Sequence, residues 1–270
     1  YSSDTTAAVP GANLSLARQF LAATGNSTHG YFGGGANFPV YYSTMDKVTY
    51  SSDTTAAVPG ANLSVTRAGL AASSARANAL PAAEPPTPTP TPQTVLALVP
   101  TPNTGYFGGG ESPVKSTMDK VTYSSDTTAA VPSANLSLAR YYLAATGNSA
   151  HGYFGGGTPT TSLMDKVTYS SDTTAAVPGA NLSVARYGLA ATGNSTHGYF
   201  GGGEPGPRST MDKVTYSSDT TAAVPGANLS AARYSLAATG NSTHGYFGGG
   251  PITSLMDKVT YSSDTTAAVP

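Results

Sequence analysis

Tyr216-Ser217-Ser218-Asp219-Thr220-Thr221-Ala222-Ala223-Val224-Pro225 is one of six copies of a single ten-residue word, which also opens at Tyr1, Tyr50, Tyr123, Tyr169 and Tyr261. The copies start 49, 73, 46, 47 and 45 residues apart. A fixed period of this size marks a repeat architecture, in which each unit covers its apolar faces with its neighbours. The reading of one unit therefore decides the fold of the whole chain.

The unit from Arg186 onward reads as four short strands. Tyr187 to Thr192 and His197 to Phe200 flank the turn Gly193-Asn194-Ser195-Thr196, which predicts a hairpin. Met211 to Tyr216 alternates, with Val214 and Tyr216 on one face and Lys213 and Thr215 on the other, and predicts a third strand. Ser217-Ser218-Asp219 turns the chain into a fourth strand, Thr220 to Val224, which Pro225-Gly226 ends. Helix competes over Leu182 to Ala191, but that run is short and Gly188 interrupts it. Four antiparallel strands recurring at about 46 residues predict an all-β chain folded as a β-propeller of four-stranded antiparallel blades. Blades opening at Arg18, Arg67, Arg140, Arg186 and Arg233 number five, and a closed five-bladed ring is the favoured expectation. Six or seven blades are expected if the chain is part of a longer one. Residues 1–17 are then spare, and could supply the outer strand of the last blade in place of Thr265 to Pro270, so that no sheet edge is left open.

Tyr199, Phe200, Gly201 and Gly202, then a strand ending in Tyr216, then a lone Arg233 before the next first strand, resemble the kelch repeat; the glycines recur at Gly33, Gly108, Gly155 and Gly248. The wording is also similar to kelch-like repeats in bacteriophage structural genes, including those of phages that infect cyanobacteria. The resemblance implies a propeller serving as a structural or binding module. The chain departs from it where kelch repeats place a Trp on the fourth strand: Ala222 to Val224 stands there, and there is no Trp.

Composition narrows the partners. Charged residues are 10% and the net charge is -1, so no basic stripe exists to neutralise a phosphate backbone, and nucleic acid is not an expected partner. The uncharged polar coat suggests a virion or extracellular surface, and no signal peptide or membrane span is read in the sequence. With no Cys there are no disulfides and no thiolate sites. The whole chain, 1–270, reads as one domain, with residues 73–104 an insertion in the second blade. The span from Arg67 to Gly105 is 26 residues longer than that from Arg186 to Gly198, and its Thr-Pro tract, Pro85 to Pro92, suits a solvated excursion.

Antiparallel strands send the turns between strands one and two, and three and four, to one face of the propeller. Loops between strands two and three, and between blades, go to the other. Variation concentrates on that second face: residues 36–42, 111–115, 158–161, 204–208 and 251–253 differ in length and charge between nearly identical flanks. Asn37, Tyr41, Glu111, Lys115, Thr160, Glu204, Arg208 and Thr253 are the candidate recognition residues, for a protein or glycan partner. Larger homo-oligomeric assemblies also fit such a module.

Other constellations carry less. His29, His151, His197 and His244 could ring a metal, but the second unit has Thr104 instead, and turn histidines bonded to their own hairpins are the simpler reading. Asp46, Asp119, Asp165, Asp212 and Asp257, each followed by Lys, are expected to form Asp to Arg or Lys networks tying adjacent blades. The triple glycines lack the Lys and the helix of a phosphate loop, and read as close backbone packing near the axis. A galactose-oxidase-like site needs a Cys and a sialidase-like one needs Asp boxes ending in Trp. Near-identical blades suit several equivalent binding sites better than the unlike groups of an active site, so no catalytic residue, cofactor or metal is expected. Sequons at Asn13, Asn26, Asn62, Asn135, Asn181, Asn194, Asn228 and Asn241 come with the repeated words.

Overall fold

The computed structural model describes residues 6–74, 103–251 and 253–269. Five four-stranded antiparallel sheets succeed one another along the chain, each in sequential strand order. Blade 1 comprises Ala22–Gly25, His29–Gly33, Met45–Thr49 and Thr54–Ala57. Blade 2 comprises Ala71–Ser74, Thr104–Gly108, Met118–Thr122 and Thr127–Ala130. Ala144–Gly147, His151–Gly155, Met164–Thr168 and Thr173–Ala176 form blade 3. Blade 4 holds Ala190–Gly193, His197–Gly201, Met211–Thr215 and Thr220–Ala223. Ala237–Gly240, His244–Gly248, Met256–Thr260 and Thr265–Val269 form blade 5. The five-bladed, all-β propeller arrangement follows the expectation from the repeat.

The first strand is shorter than expected, starting at Ala190 rather than Tyr187. Gly188 adopts a φ of +64°, which breaks the extended path, and Tyr187 bonds to a loop instead. The helical alternative is absent apart from one 3-10 turn before it, Pro178–Ala180. First strands of successive blades pack on one another, and Ala23, Ala72, Ala145, Ala191 and Ala238 are among the residues lining an axial cavity of about 660 Å3.

Blades 2, 3 and 4 are each sandwiched between two others, so both faces of their central strands are apolar. Tyr199 and Met211 point toward the following blade, where they meet Ala227, Leu229, Leu236, Phe247, Val259 and Tyr261, all 9% exposed or less. Phe200 and Val214 point back and do the same service for blade 3. Gly201 stands where a Cβ would lie 2.7 Å from Met211 and 3.2 Å from the Phe247 ring, so the neighbouring Phe occupies the space a side chain would take. Stacking of Tyr199 on Tyr261, with ring centroids 4.8 Å apart, adds an aromatic contact. Asn228 Oδ1 accepts from the Met211 amide at 3.0 Å, tying the linker after blade 4 back to that blade.

Two charge networks repeat with these clusters. Arg186 is fully buried; its guanidinium donates to Asp212 Oδ2 at 2.8 Å, to the Phe200 carbonyl at 3.0 Å and to the Thr210 carbonyl at 2.9 Å. The pair pins the linker to the blade it introduces. The same arrangement holds at Arg18, Arg67, Arg140 and Arg233 with Asp46, Asp119, Asp165 and Asp257. This corrects the expected tie between blades: these aspartates bind within their own unit. The inter-blade tie uses the Asp of the repeated word instead. Asp264 accepts from Lys213 of the preceding blade at 2.7 Å and from the Tyr199 hydroxyl. Asp126, Asp172 and Asp219 do likewise with Lys47 and Tyr31, Lys120 and Tyr106, and Lys166 and Tyr153.

Among the described residues, four junctions are packed in this way. Phe32 of blade 1 is partly exposed, where Phe107, Phe154, Phe200 and Phe247 are fully buried. Met256 of blade 5 is likewise partly exposed, where Met45, Met118, Met164 and Met211 are fully buried. The last blade keeps its own outer strand, Thr265–Val269, paired with Met256–Thr260, and residues 6–9 form no strand. Of the insertion, Ser73, Ser74 and Thr104 belong to the first hairpin of blade 2, while residues 75–102, with the Thr-Pro tract, lie outside the described residues, as do residues 1–5.

Candidate recognition face

The variable loops and the linkers between blades are woven together on one face. The residue after four of the five linker Args forms a bridge to the start of its own blade's loop: Gln19 to Ala36, Ala68 to Glu111, Tyr141 to Thr158 and Tyr187 to Glu204. The next residue in each unit, Phe20, Gly69, Tyr142, Gly188 and Ser235, has φ between 51° and 64°. Their backbones bond in succession: Gly69 donates to the Phe20 carbonyl at 2.8 Å, Tyr142 to Gly69 at 2.6 Å, Gly188 to Tyr142 at 2.7 Å and Ser235 to Gly188 at 2.7 Å. The face is thus rigidly framed at the entrance to the first strands, and its side chains are free to differ.

They differ most over blades 1 to 3. Tyr142 lies across blade 2 and brings its ring centroid to 5.2 Å from that of Phe20 on blade 1. Gly69 makes this possible, since a Cβ there would stand 2.9 Å from the Tyr142 ring. Phe38 lies 6.0 Å from Phe20 and packs edge-on against Tyr41 at 5.7 Å, while Tyr141 lies 4.8 Å from Tyr142. Phe38 is 49% exposed. One carboxylate stands beside this platform, that of Glu111 near the Tyr142 hydroxyl. Burial, then the Glu111 charge, pushes the Tyr142 phenol up to about 12, and burial raises the Glu111 carboxyl.

All eight expected recognition residues lie on this face, but they do not form one cluster. Tyr41 and Glu111 belong to the aromatic platform. Asn37 and Thr160 are exposed on their loops. Lys115 is framework, its amide donating to the Gly110 carbonyl and its carbonyl accepting from the Arg140 amide. The backbone of Glu204 pairs with Tyr187, and that of Arg208 with Gly203 and Arg233. Thr253 caps the Leu255 amide and lines, with Pro207, Tyr234 and Pro251, a cleft of about 220 Å3 between blades 4 and 5. Phe20 and Tyr142 were not among the expected residues. Their signal was in the sequence: the two positions between Arg and Leu read Gln-Phe, Ala-Gly, Tyr-Tyr, Tyr-Gly and Tyr-Ser while their flanks repeat.

The other constellations are structural. On the opposite face, Asn194 Oδ1 accepts from the amides of Thr196 and His197 at 2.9 Å, and the Thr196 hydroxyl meets His197 Nδ1 at 2.8 Å. Burial and the nearby Lys213 push the His197 imidazole below its ordinary range. Among the described residues no three His, Asp or Glu side chains come together as a metal site. The triple glycines do pack closely, though at the blade junctions rather than near the axis: a Cβ on Gly202 would meet the Arg233 carbonyl at 2.7 Å. Among the described residues no helix is long and apolar enough to cross a membrane.

No family model matches the sequence, and no curated protein matches it.

Proposed function

We propose that the protein is a non-enzymatic binding module that recognises a glycan or protein through the face carrying the variable loops. One observation carries this reading: on a scaffold of near-identical blades, Tyr142 crosses Gly69 to join Phe20, Phe38 and Tyr41 in an aromatic platform that, among the described residues, only blades 1 to 3 possess. Aromatic faces beside a carboxylate suit the apolar faces and hydroxyls of a sugar, and a chain with 10% charged residues suits a neutral ligand. The same uncharged polar surface favours a place on a virion or cell exterior, as an appendage of the kind the kelch-like phage repeats suggest. A kelch-type scaffold holding a partner protein is the second reading, favoured by the exposed Phe38 and Val40 on one hairpin.

A glycan array probed with the full chain tests the proposal, followed by titration calorimetry on any positive sugar. Phe38→Ala is expected to weaken that binding roughly tenfold or more while leaving the melting temperature unchanged. A blank array, or sugar binding indifferent to Phe38→Ala and Tyr142→Ala, overturns the glycan reading.

A further inference from the structure

The seat that carries the Tyr142 ring is built twice on the variable face. The first copy has Gly69 as its floor, Glu111 beside it and Tyr142 one blade on. The second has Gly188, Glu204 and Ser235 at the same three places of the repeat. The two share one backbone frame. Gly69 and Gly188 both have a φ of +64°. The Glu111 amide donates to the Ala68 carbonyl at 2.9 Å, and the Glu204 amide to the Tyr187 carbonyl at 2.8 Å. The Tyr142 amide donates to the Gly69 carbonyl at 2.6 Å, and the Ser235 amide to that of Gly188 at 2.7 Å. What differs is the cover. Gly69 is buried, with two ring atoms of Tyr142 at 2.9 and 3.0 Å from the place of a Cβ. Gly188 is partly exposed, and the nearest atoms to its Cβ place are the Ser235 amide nitrogen at 3.6 Å and hydroxyl at 3.8 Å. Ser235 is itself exposed, its side chain too short to cover the glycine. Glu204 is partly exposed and has no ion-pair partner among the described residues.

We propose that the seat over Gly188 is a binding site for a phenol ring, the side chain of a tyrosine on a partner polypeptide. The molecule carries the template for this ligand within itself. Tyr142 lies on Gly69, which admits the ring because it lacks a Cβ, and its hydroxyl stands beside the Glu111 carboxylate. A phenol entering over Gly188 meets the same glycine floor, and Glu204 occupies the place from which a carboxylate accepts its hydrogen bond. A pyranose fits less well, because its puckered ring is thicker than the planar one whose atoms come within 3.0 Å of the Cβ place at Gly69. The site is separate from Phe38 and its neighbours, and does not depend on what they bind.

Titration of the full chain with para-cresol, which is the tyrosine side chain alone, tests this by ligand-observed magnetic resonance. Saturable binding is expected. It should be lost in Gly188→Ala and in Ser235→Tyr, weakened roughly fivefold in Glu204→Gln, and unchanged in Phe38→Ala. Ser235→Tyr alters an exposed position and so spares the core. Its new phenol should take the seat itself and titrate above the ordinary tyrosine range, as Tyr142 does. No saturable binding, or binding as tight in Ser235→Tyr as in the parent, rejects the site. Displacement of para-cresol by an equal concentration of methyl glucoside rejects the phenol as its ligand.

Discussion

Gly69→Ala and Gly188→Ala form a matched pair that tests how the aromatic platform is assembled. Both glycines have a φ of +64° in the same position of the repeat, so both substitutions place an L side chain in the left-handed region, at about 1–2 kcal/mol. The surroundings differ. At Gly188 the nearest atom to the new Cβ is the Ser235 amide at 3.6 Å, an ordinary contact. At Gly69 the Tyr142 ring lies at 2.9 and 3.0 Å and its backbone nitrogen at 3.3 Å, so the ring has to move off Phe20 and away from Glu111. Displacing a packed ring adds roughly 1–3 kcal/mol. Urea denaturation should therefore show Gly69→Ala less stable than Gly188→Ala by that increment. The Tyr142 phenol, held at about 12, should move back toward the ordinary range near 10 in Gly69→Ala alone, read as tyrosinate absorbance between those pH values. Equal stability losses and superimposable alkaline titrations in the two variants would refute the role given to Gly69.

The packed junctions predict that Phe154→Ala, which empties a fully buried position, costs about 3–5 kcal/mol by urea denaturation, whereas Phe32→Ala, at a partly exposed position, costs much less. Removing one partner of a buried ion pair, as in Asp165→Ala against the buried Arg140, should cost about 3–5 kcal/mol, while Lys166→Met, from a pair about one quarter exposed, should cost under about 1 kcal/mol. Burial resists ionisation of Asp172, but hydrogen bonds from Lys120 and Tyr106 outweigh it and lower its pKa, as they do for the equivalent Asp126, Asp219 and Asp264 with their own partners. Their contribution to stability is thus present above the ordinary carboxylate pKa, near 4, and lost as pH falls through the depressed values. Denaturation midpoints between pH 5 and 2 should fall less steeply in Asp172→Asn than in the parent, and parallel curves would count against the tie.

Strands were legible because the words that specify them are short, aromatic-rich and bounded by Gly-Asn and Ser-Ser-Asp turns, so period 2 and turn chemistry agree. The two faces followed from antiparallel geometry alone, which placed Asn37, Glu111 and Thr253 on one side. Partner choice was not legible. Asp212 and Asp219 both stand near Lys213 in sequence, and only the stacking of blades shows that Asp212 is taken by Arg186 while Lys213 reaches forward to Asp264. The platform escaped notice because its key contact spans two units, with Gly69 acting by lacking a side chain. A pairwise reading of loops has no means of seeing a residue that works by absence.

The tie from Lys and Tyr of one blade to the Asp of the next has a consequence for inheritance. Because every junction draws on the same words, unequal crossing-over between copies of the coding repeat would add or delete a whole blade and leave each surviving interface intact. The short segments between the words are under no such constraint, and travel with their unit. A lineage carrying this design can change its number of blades and its set of recognition loops in one recombination event, without passing through a misfolded intermediate.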